Sequence, residues 1–308
     1  MTDAAVASLS TPASEQQLSE AGRATPPLPG GPRSDLSADI RRATRRATRQ
    51  ALGRSLLTFV LTIIAVIVIW VGALALFGVS TYVGKGPLDV WNFLFTVPAA
   101  EANRAQLFGQ LGVTIGHSAV GFGAGLLVAL VVATVFQLSK GVEHALMPLA
   151  MLLRSVPLVA MAPVIILIFG RDFASVAVIG GIVVLFPALV NIVFGLKSAT
   201  PQMNDLVTVY GGGAWTRLRK VALPNSLPEF FAAVRISVPG AITGALLAEW
   251  LAVGGGIGGA VGGYIAGAQF SAVWTAVVLV TGTALVLYNL VQILESVVLA
   301  RMGMAARL

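Results

Sequence analysis

The chain has 308 residues, of which 56% are apolar and only 11% charged, whereas a soluble domain is nearer a quarter charged. That balance excludes an ordinary water-soluble fold, and the absence of cysteine excludes disulfides and thiolate metal centres. A net charge of +7 would suit a nucleic-acid binder, but the basic residues sit mainly outside the apolar stretches, as they do in membrane proteins.

Residues 1–40 are rich in Ser, Thr, Pro, Gly and Ala, and they read as a disordered tail without the apolar core of a secretory signal. Residues 41–54 follow as a basic juxtamembrane helix carrying Arg41, Arg42, Arg45, Arg46, Arg49 and Arg54. Near an anionic bilayer each such residue contributes about 1 kcal/mol, so lipid is the expected partner of this arm, and nucleic acid is not.

The remainder, 55–308, reads as a transmembrane domain with six apolar spans, at about 55–79, 113–137, 146–169, 174–196, 228–252 and 272–298. Each supplies the roughly 20 residues that a bilayer requires. The two histidines, His117 and His144, fall far apart near span ends, and no metal site is expected.

Loop charge orients the spans. The arm, Lys140, Lys197, Arg217, Arg219, Lys220, Arg301 and Arg307 fall on one side. Lys85, Arg104 and Arg171, diluted by Asp89, Glu101 and Asp172, fall on the other. The positive-inside rule predicts that both termini and the loop between spans four and five are cytoplasmic.

Within the spans, Gly116, Gly121, Gly123, Gly125, Gly240 and Gly244 would let helices approach closely. Pro157, Pro163, Pro187 and Pro239 would break helical hydrogen bonding. Polar groups at depth are few, and Asn191, Arg235, Thr243 and Glu249 are the candidates for a path or gate. Arg235 is close enough to its span's cytoplasmic end to snorkel back to it, and Glu249 lies near the outer end, where facing interfacial water would account for it. The run Gly254–Gly263 (GGGIGGAVGG) is expected to be a flexible outer loop or a re-entrant segment.

No phosphate-binding, zinc-protease or nucleophile-elbow motif occurs, so the chain is not expected to be an enzyme or to hold a cofactor. Uphill transport would then draw on a partner or an ion gradient. Ion-coupled carriers keep ionisable groups at mid-membrane, and this chain has almost none.

The longest polar interruption is the loop 200–224. It is read as a short helix over Asp205–Tyr210, a turn at Gly211-Gly212-Gly213, and a second amphipathic helix that Pro224 stops, or after which it opens the next helix at its first position. Trp215, Leu218 and Val221 form its apolar face, with Arg217, Arg219 and Lys220 between them.

This stretch resembles the cytoplasmic loop of ABC-type importer permeases, whose signature is E-A-A, three residues, Gly, nine residues, then Ile-x-Leu-Pro. Asp205 stands for the glutamate, Gly211 takes the glycine position, and Val221-Ala222-Leu223-Pro224 falls at the required distance. Leu206 and Val207 replace the two alanines. RSVPLVAMAPVIILIFG (154–170), FPALVNIVFGLKS (186–198) and LLAEWLAVGGGIGG (246–259) are similar to the permeases of nitrate, taurine, alkanesulfonate and thiamine-precursor importers.

The resemblance implies an all-α type I importer permease with six transmembrane helices. It implies two permease copies, two cytoplasmic ATPase subunits and an extracytoplasmic solute-binding protein, with the loop as coupling helix. The implied cargo is a small solute of sulfonate, nitrate or pyrimidine-precursor type. A gradient-driven carrier or channel, or a non-transporting scaffold, remains the alternative.

Overall fold

A computed structural model describes residues 61–303, and every regular element among them is a helix. The tail 1–40, the basic helix 41–54, the start of the first span and Arg307 lie outside the described residues. Contacts divide the chain after Ile69; of the first unit only 61–69, the start of α1 (Leu61–Leu76), is described. The rest of the fold belongs to the second unit.

A short helix, α2 (Pro87–Phe95), opens with Pro87 at its first position and Asp89 accepting the Gly86 amide at 2.8 Å, so its N-terminus is closed. It leads into α3 (Ala100–Leu138), whose 39 residues extend about 58 Å at 1.5 Å per residue. The third predicted span divides at Val156–Pro157 into α4 (Lys140–Ser155) and α5 (Leu158–Phe169). Pro157 has ψ 116 and has left the helical region, and the polar pair Arg154–Ser155 precedes it. Helix α4 is therefore an amphipathic segment, and α5 alone is the apolar part.

Helix α6 (Phe173–Leu196) forms the centre, packing most extensively on α3 and on α10 (Leu227–Ala248). Between α6 and α10 come α7 (Pro201–Val209), α8 (Ala214–Arg217) and α9 (Leu223–Asn225), with a π-helical turn, Leu218–Ala222, between the last two. A second π turn, Glu249–Val253, ends α10. Next is α11 (Gly256–Ala266), and α12 (Phe270–Arg301) closes the bundle. Among the described residues four elements are long and apolar enough to cross a membrane: α3, α6, α10 with its π turn, and α12.

The span glycines separate into two groups. A Cβ on Gly121 would sit 2.8 Å from Gly180 Cα, and one on Gly244 would also sit 2.8 Å from Gly180 Cα. A Cβ on Gly125 would sit 2.7 Å from the Val184 side chain. Helices α3, α6 and α10 thus meet nearly backbone to backbone, the arrangement small residues permit where lipid supplies no hydrophobic drive. Gly116 and Gly123 face open space, and the close-packing reading does not apply to them.

Three apolar clusters fill the unit. One joins Phe136, Val184, Ile192 and Leu196 to Leu218 and Ala222. The second joins Leu107 and Leu111 to Ile257, Tyr264 and Ala276, and the third joins Ile165 and Ile179 to Ala248 and Ala252. Trp70 stacks on Trp274 with centroids 5.6 Å apart.

Candidate functional site

The loop 200–224 is ordered by glycine at its bend and by apolar residues on one side. Helix α7 starts earlier than the sequence suggested, because Pro201 takes the first helical position, where its missing N–H is harmless. Gly211 has φ +75 with nothing near its missing side chain, so only the backbone demands glycine there. At Gly212 the constraint is steric, since a Cβ would lie 2.8 Å from the Val207 carbonyl oxygen.

Pro224 does not stop the segment but stands in the first turn of the next helix, α9, where its missing N–H is harmless. The chain stays helical through it because the preceding π turn, closed by Leu223 N–H donating to Leu218 O, widens the backbone where the proline ring would otherwise meet a carbonyl.

The predicted apolar face is divided between two surroundings. Leu218 and Val221 are buried, and Leu218 and Ala222 belong to the same core cluster as Phe136 and Ile192. They hold the segment to its own bundle and are not free anchors for another protein. Trp215 is 62% exposed, and Leu206, Val209 and Tyr210 on α7 are exposed beside the bend. Asp205, Arg219, Lys220 and Leu223 are exposed, while Arg217 and Pro224 are half-buried.

The predicted path residues do not converge. Asn191 Nδ2 donates to Pro187 O at 2.8 Å, and Thr243 Oγ1 donates to Pro239 O at 3.0 Å. Each returns a hydrogen bond to a carbonyl on a proline-interrupted helix. Thr243 also lines a cavity of about 500 Å³ with Leu246, Trp250 and Thr281.

Arg235 does not snorkel freely. Its Nη1 is 3.1 Å from Glu295 Oε2 on α12, and its guanidinium lies 5.8 Å from the Tyr288 ring centroid. Glu295 was not among the sequence candidates, although opposite charges near the same ends of the fifth and sixth spans are a readable signal. The side chains are 26% and 16% exposed, so either one left alone keeps a poorly hydrated charge. A double-mutant cycle with Arg235→Met and Glu295→Met should show a coupling of roughly 0.5–3 kcal/mol in detergent-solubilised thermal unfolding, the double variant being less damaged than the singles predict.

Glu249 does not face interfacial water; it is fully buried. Its Oε2 accepts from Thr114 Oγ1 and from Gly258 N–H, each at 2.9 Å, and its Oε1 is 2.8 Å from His117 Nδ1. Thr114 and His117 stand more than 130 positions away in sequence, which is why composition and spacing pass over them. The glycine run beyond Glu249 is the helix α11 and not a flexible loop. Glycine has poor helix propensity; here tertiary hydrogen bonds to its first turn support the helix.

No group of three or more metal-ligating side chains occurs among the described residues. Among the described residues the arrangement is an apolar bundle with an ordered polar appendage, a buried carboxylate network at Glu249, and ion pairs between Arg235 and Glu295 and between Lys197 and Glu143.

Comparison with known proteins identifies the bundle. Residues 121–302 match the family of binding-protein-dependent transport system inner membrane components. The chain belongs to that family.

Among its relatives is the formylaminopyrimidine transport permease protein ThiX of Halalkalibacterium halodurans, 24% identical over 58% of this chain and 68% of the relative. The putative aliphatic sulfonates transport permease protein SsuC of Bacillus subtilis is 30% identical over 43% of this chain and 48% of its own length. The nitrate import permease protein NrtB of Synechococcus elongatus is 24% identical over 42% of this chain and 46% of the relative. This permease is accordingly a multi-pass membrane component of a binding-protein-dependent transporter, with the type I importer permease fold.

Proposed function

We propose that this permease forms, as a pair of identical copies, the membrane pathway of an ATP-driven importer. Two cytoplasmic ABC ATPase subunits grip α7–α9, and an extracytoplasmic solute-binding protein delivers the cargo. Both termini and the loop 200–224 lie in the cytoplasm, as the basic residues Lys140, Lys197, Arg219 and Lys220 favour. Anionic lipid is the partner of the basic residues between 41 and 54. The cargo is a small solute of the sulfonate, nitrate or pyrimidine-precursor kind carried by the relatives.

The observation that carries this reading is the two-sided character of the loop. Leu218 and Ala222 are seated in the bundle core, while Val209, Tyr210 and Trp215 stand 82%, 84% and 62% exposed around the bend. Exposed aromatics on a rigidly seated element are what a partner's cleft recognises. The seating supports transmission of ATPase closure into α6 and α10.

Mild-detergent purification of the tagged permease from its native membrane, with mass spectrometry of co-eluting chains, tests the reading. A Walker-motif ATPase is expected with the wild type. Trp215→Ala should weaken its retention by about 2 kcal/mol, roughly 30-fold in Kd. Recovery without an ATPase, together with flux in vesicles lacking ATP, would mean a gradient-driven carrier instead.

A further inference from the structure

The carboxylate of Glu249 does more than satisfy itself. Gly258 and Ile257 are the third and second residues of α11, and their amides are the orphan donors of a helix start. Glu249 Oε2 takes the Gly258 amide, and Thr114 Oγ1 takes the Ile257 amide at 2.9 Å while donating to Glu249. A negative group thereby meets the positive end of the helix, and the contact is shared with α3 through Thr114 and His117.

Local sequence is shaped around this contact. A Cβ on Gly256 would fall on the Glu249 carboxylate, and one on Gly258 would lie 2.9 Å from Glu249 Cβ. Gly254, Gly255 and Gly256 have φ of 71, 69 and 56, so the break between α10 and α11 is three successive left-handed residues. Helix α11 is therefore fixed by its packing and polar contacts: Ile257 and Tyr264 in the core, the Glu249–Thr114 network at its start, and Tyr264 Oη donating to Gln110 Oε1 at 2.7 Å near its end.

Helix α11 also contributes to the walls of two cavities of about 500 Å³ each. Tyr264, beside its C-terminal end, lines one with Lys85, Asn103, Gln106 and Gln269. Ile257, Val261 and Ile265 line the other with Thr243, Trp250 and Thr281. A short helix on a glycine hinge, adjoining a mixed and an apolar cavity and held at its start by the Glu249–Thr114 network, is placed to act as a partition.

We propose that α11 is a movable partition of the solute path and that Glu249 is the positioning residue that holds it closed against α3. The solute-path part of this rests on the importer reading; the positioning part does not.

The chain has no native cysteine, so a single introduced thiol reports cleanly. Ala260→Cys places it on the half-buried side of α11, and Ala188→Cys, at a fully buried site on α6, is the control. The probe is a membrane-impermeant maleimide applied from outside to proteoliposomes holding the assembled transporter without ATP. Adding Glu249→Ala should raise labelling at Ala260→Cys by about tenfold or more and leave Ala188→Cys unchanged, as expected when the cap on α11 and its bridge to Thr114 and His117 are lost together. ATP hydrolysed per solute imported should rise about fivefold, a ratio that a misfolded fraction would not move.

If Glu249→Ala does not assemble, Thr114→Val removes only the capping hydroxyl and should raise labelling about threefold. Unchanged labelling at Ala260→Cys, or an equal rise at Ala188→Cys, would overturn the proposal. Failure of the importer reading alone would appear differently, as no ATP-dependent uptake by the wild type while the labelling contrast persists.

Discussion

Gly211→Val is expected to reduce ATP-driven uptake by about tenfold or more while leaving the protein in the membrane at wild-type amounts. The left-handed backbone at this residue, φ +75, costs an ordinary L-residue roughly 1–3 kcal/mol, and a β-branched one sits at the upper end. That energy converts to roughly a 5- to 140-fold loss of the native bend, with valine toward the upper end, at about 1.4 kcal/mol per factor of ten. Nothing lies within 4 Å of the site, so the effect is conformational and not a clash.

Two companions make the result diagnostic. Gly211→Asn should fall between wild type and valine, because asparagine tolerates the left-handed region. Gly213→Ala should import normally, since Gly213 has φ −81 and open space around it. Normal uptake by Gly211→Val, measured with radiolabelled solute in cells, would count against the loop as the coupling element.

Gly180→Val should damage the packing of α6 on α3. A Cβ on Gly180 would lie 2.9 Å from Gly121 Cα on α3, a backbone atom that cannot swing aside. Overpacking costs typically 1–3 kcal/mol, and an immovable backbone neighbour places this case near the top of that range, at about 3 kcal/mol. In a unit of this size that lowers the thermal midpoint by on the order of 10 °C, readable by tryptophan fluorescence in detergent. Gly123→Ala, on the same α3 but facing open space, should leave the midpoint unchanged or raise it slightly. Equal sensitivity at both positions would mean that the three helices do not meet as described.

What could be read from the sequence follows from physical range. The long apolar elements were legible because bilayer thickness imposes a length, and α3, α6, α10 and α12 each contain most of a predicted span. The bend at Gly211 was legible because its chemistry is local. The division of α4 from α5 was less so: Pro157 was noticed as a helix breaker, but the polar Arg154–Ser155 ahead of it was absorbed into an apolar average. The burial of Leu218 was hidden, since helical spacing defines an apolar stripe without saying whether it faces its own bundle or a partner.

Glu249 shows the same limit more sharply. Its position in the span was readable, but its surroundings depend on Thr114 and His117 arriving from α3. Its partners also explain why a glycine-rich run becomes α11, which propensity alone opposes.

The seating of Leu218 and Ala222 among Phe136, Ile192 and Leu196 has a mechanical consequence. Close-packed interiors deform little, so a force applied at Trp215 enters the bundle within about one helical turn instead of dissipating along a slack tether. Compliance is left to the glycines at 211–213, on the far side of the tryptophan. The segment therefore behaves as a short stiff crank with its pivot upstream. A partner pushing on the tryptophan would turn α6 and α10 together, and lengthening the chain around Gly211–Gly213 would cost the crank less than loosening the socket in which Leu218 sits.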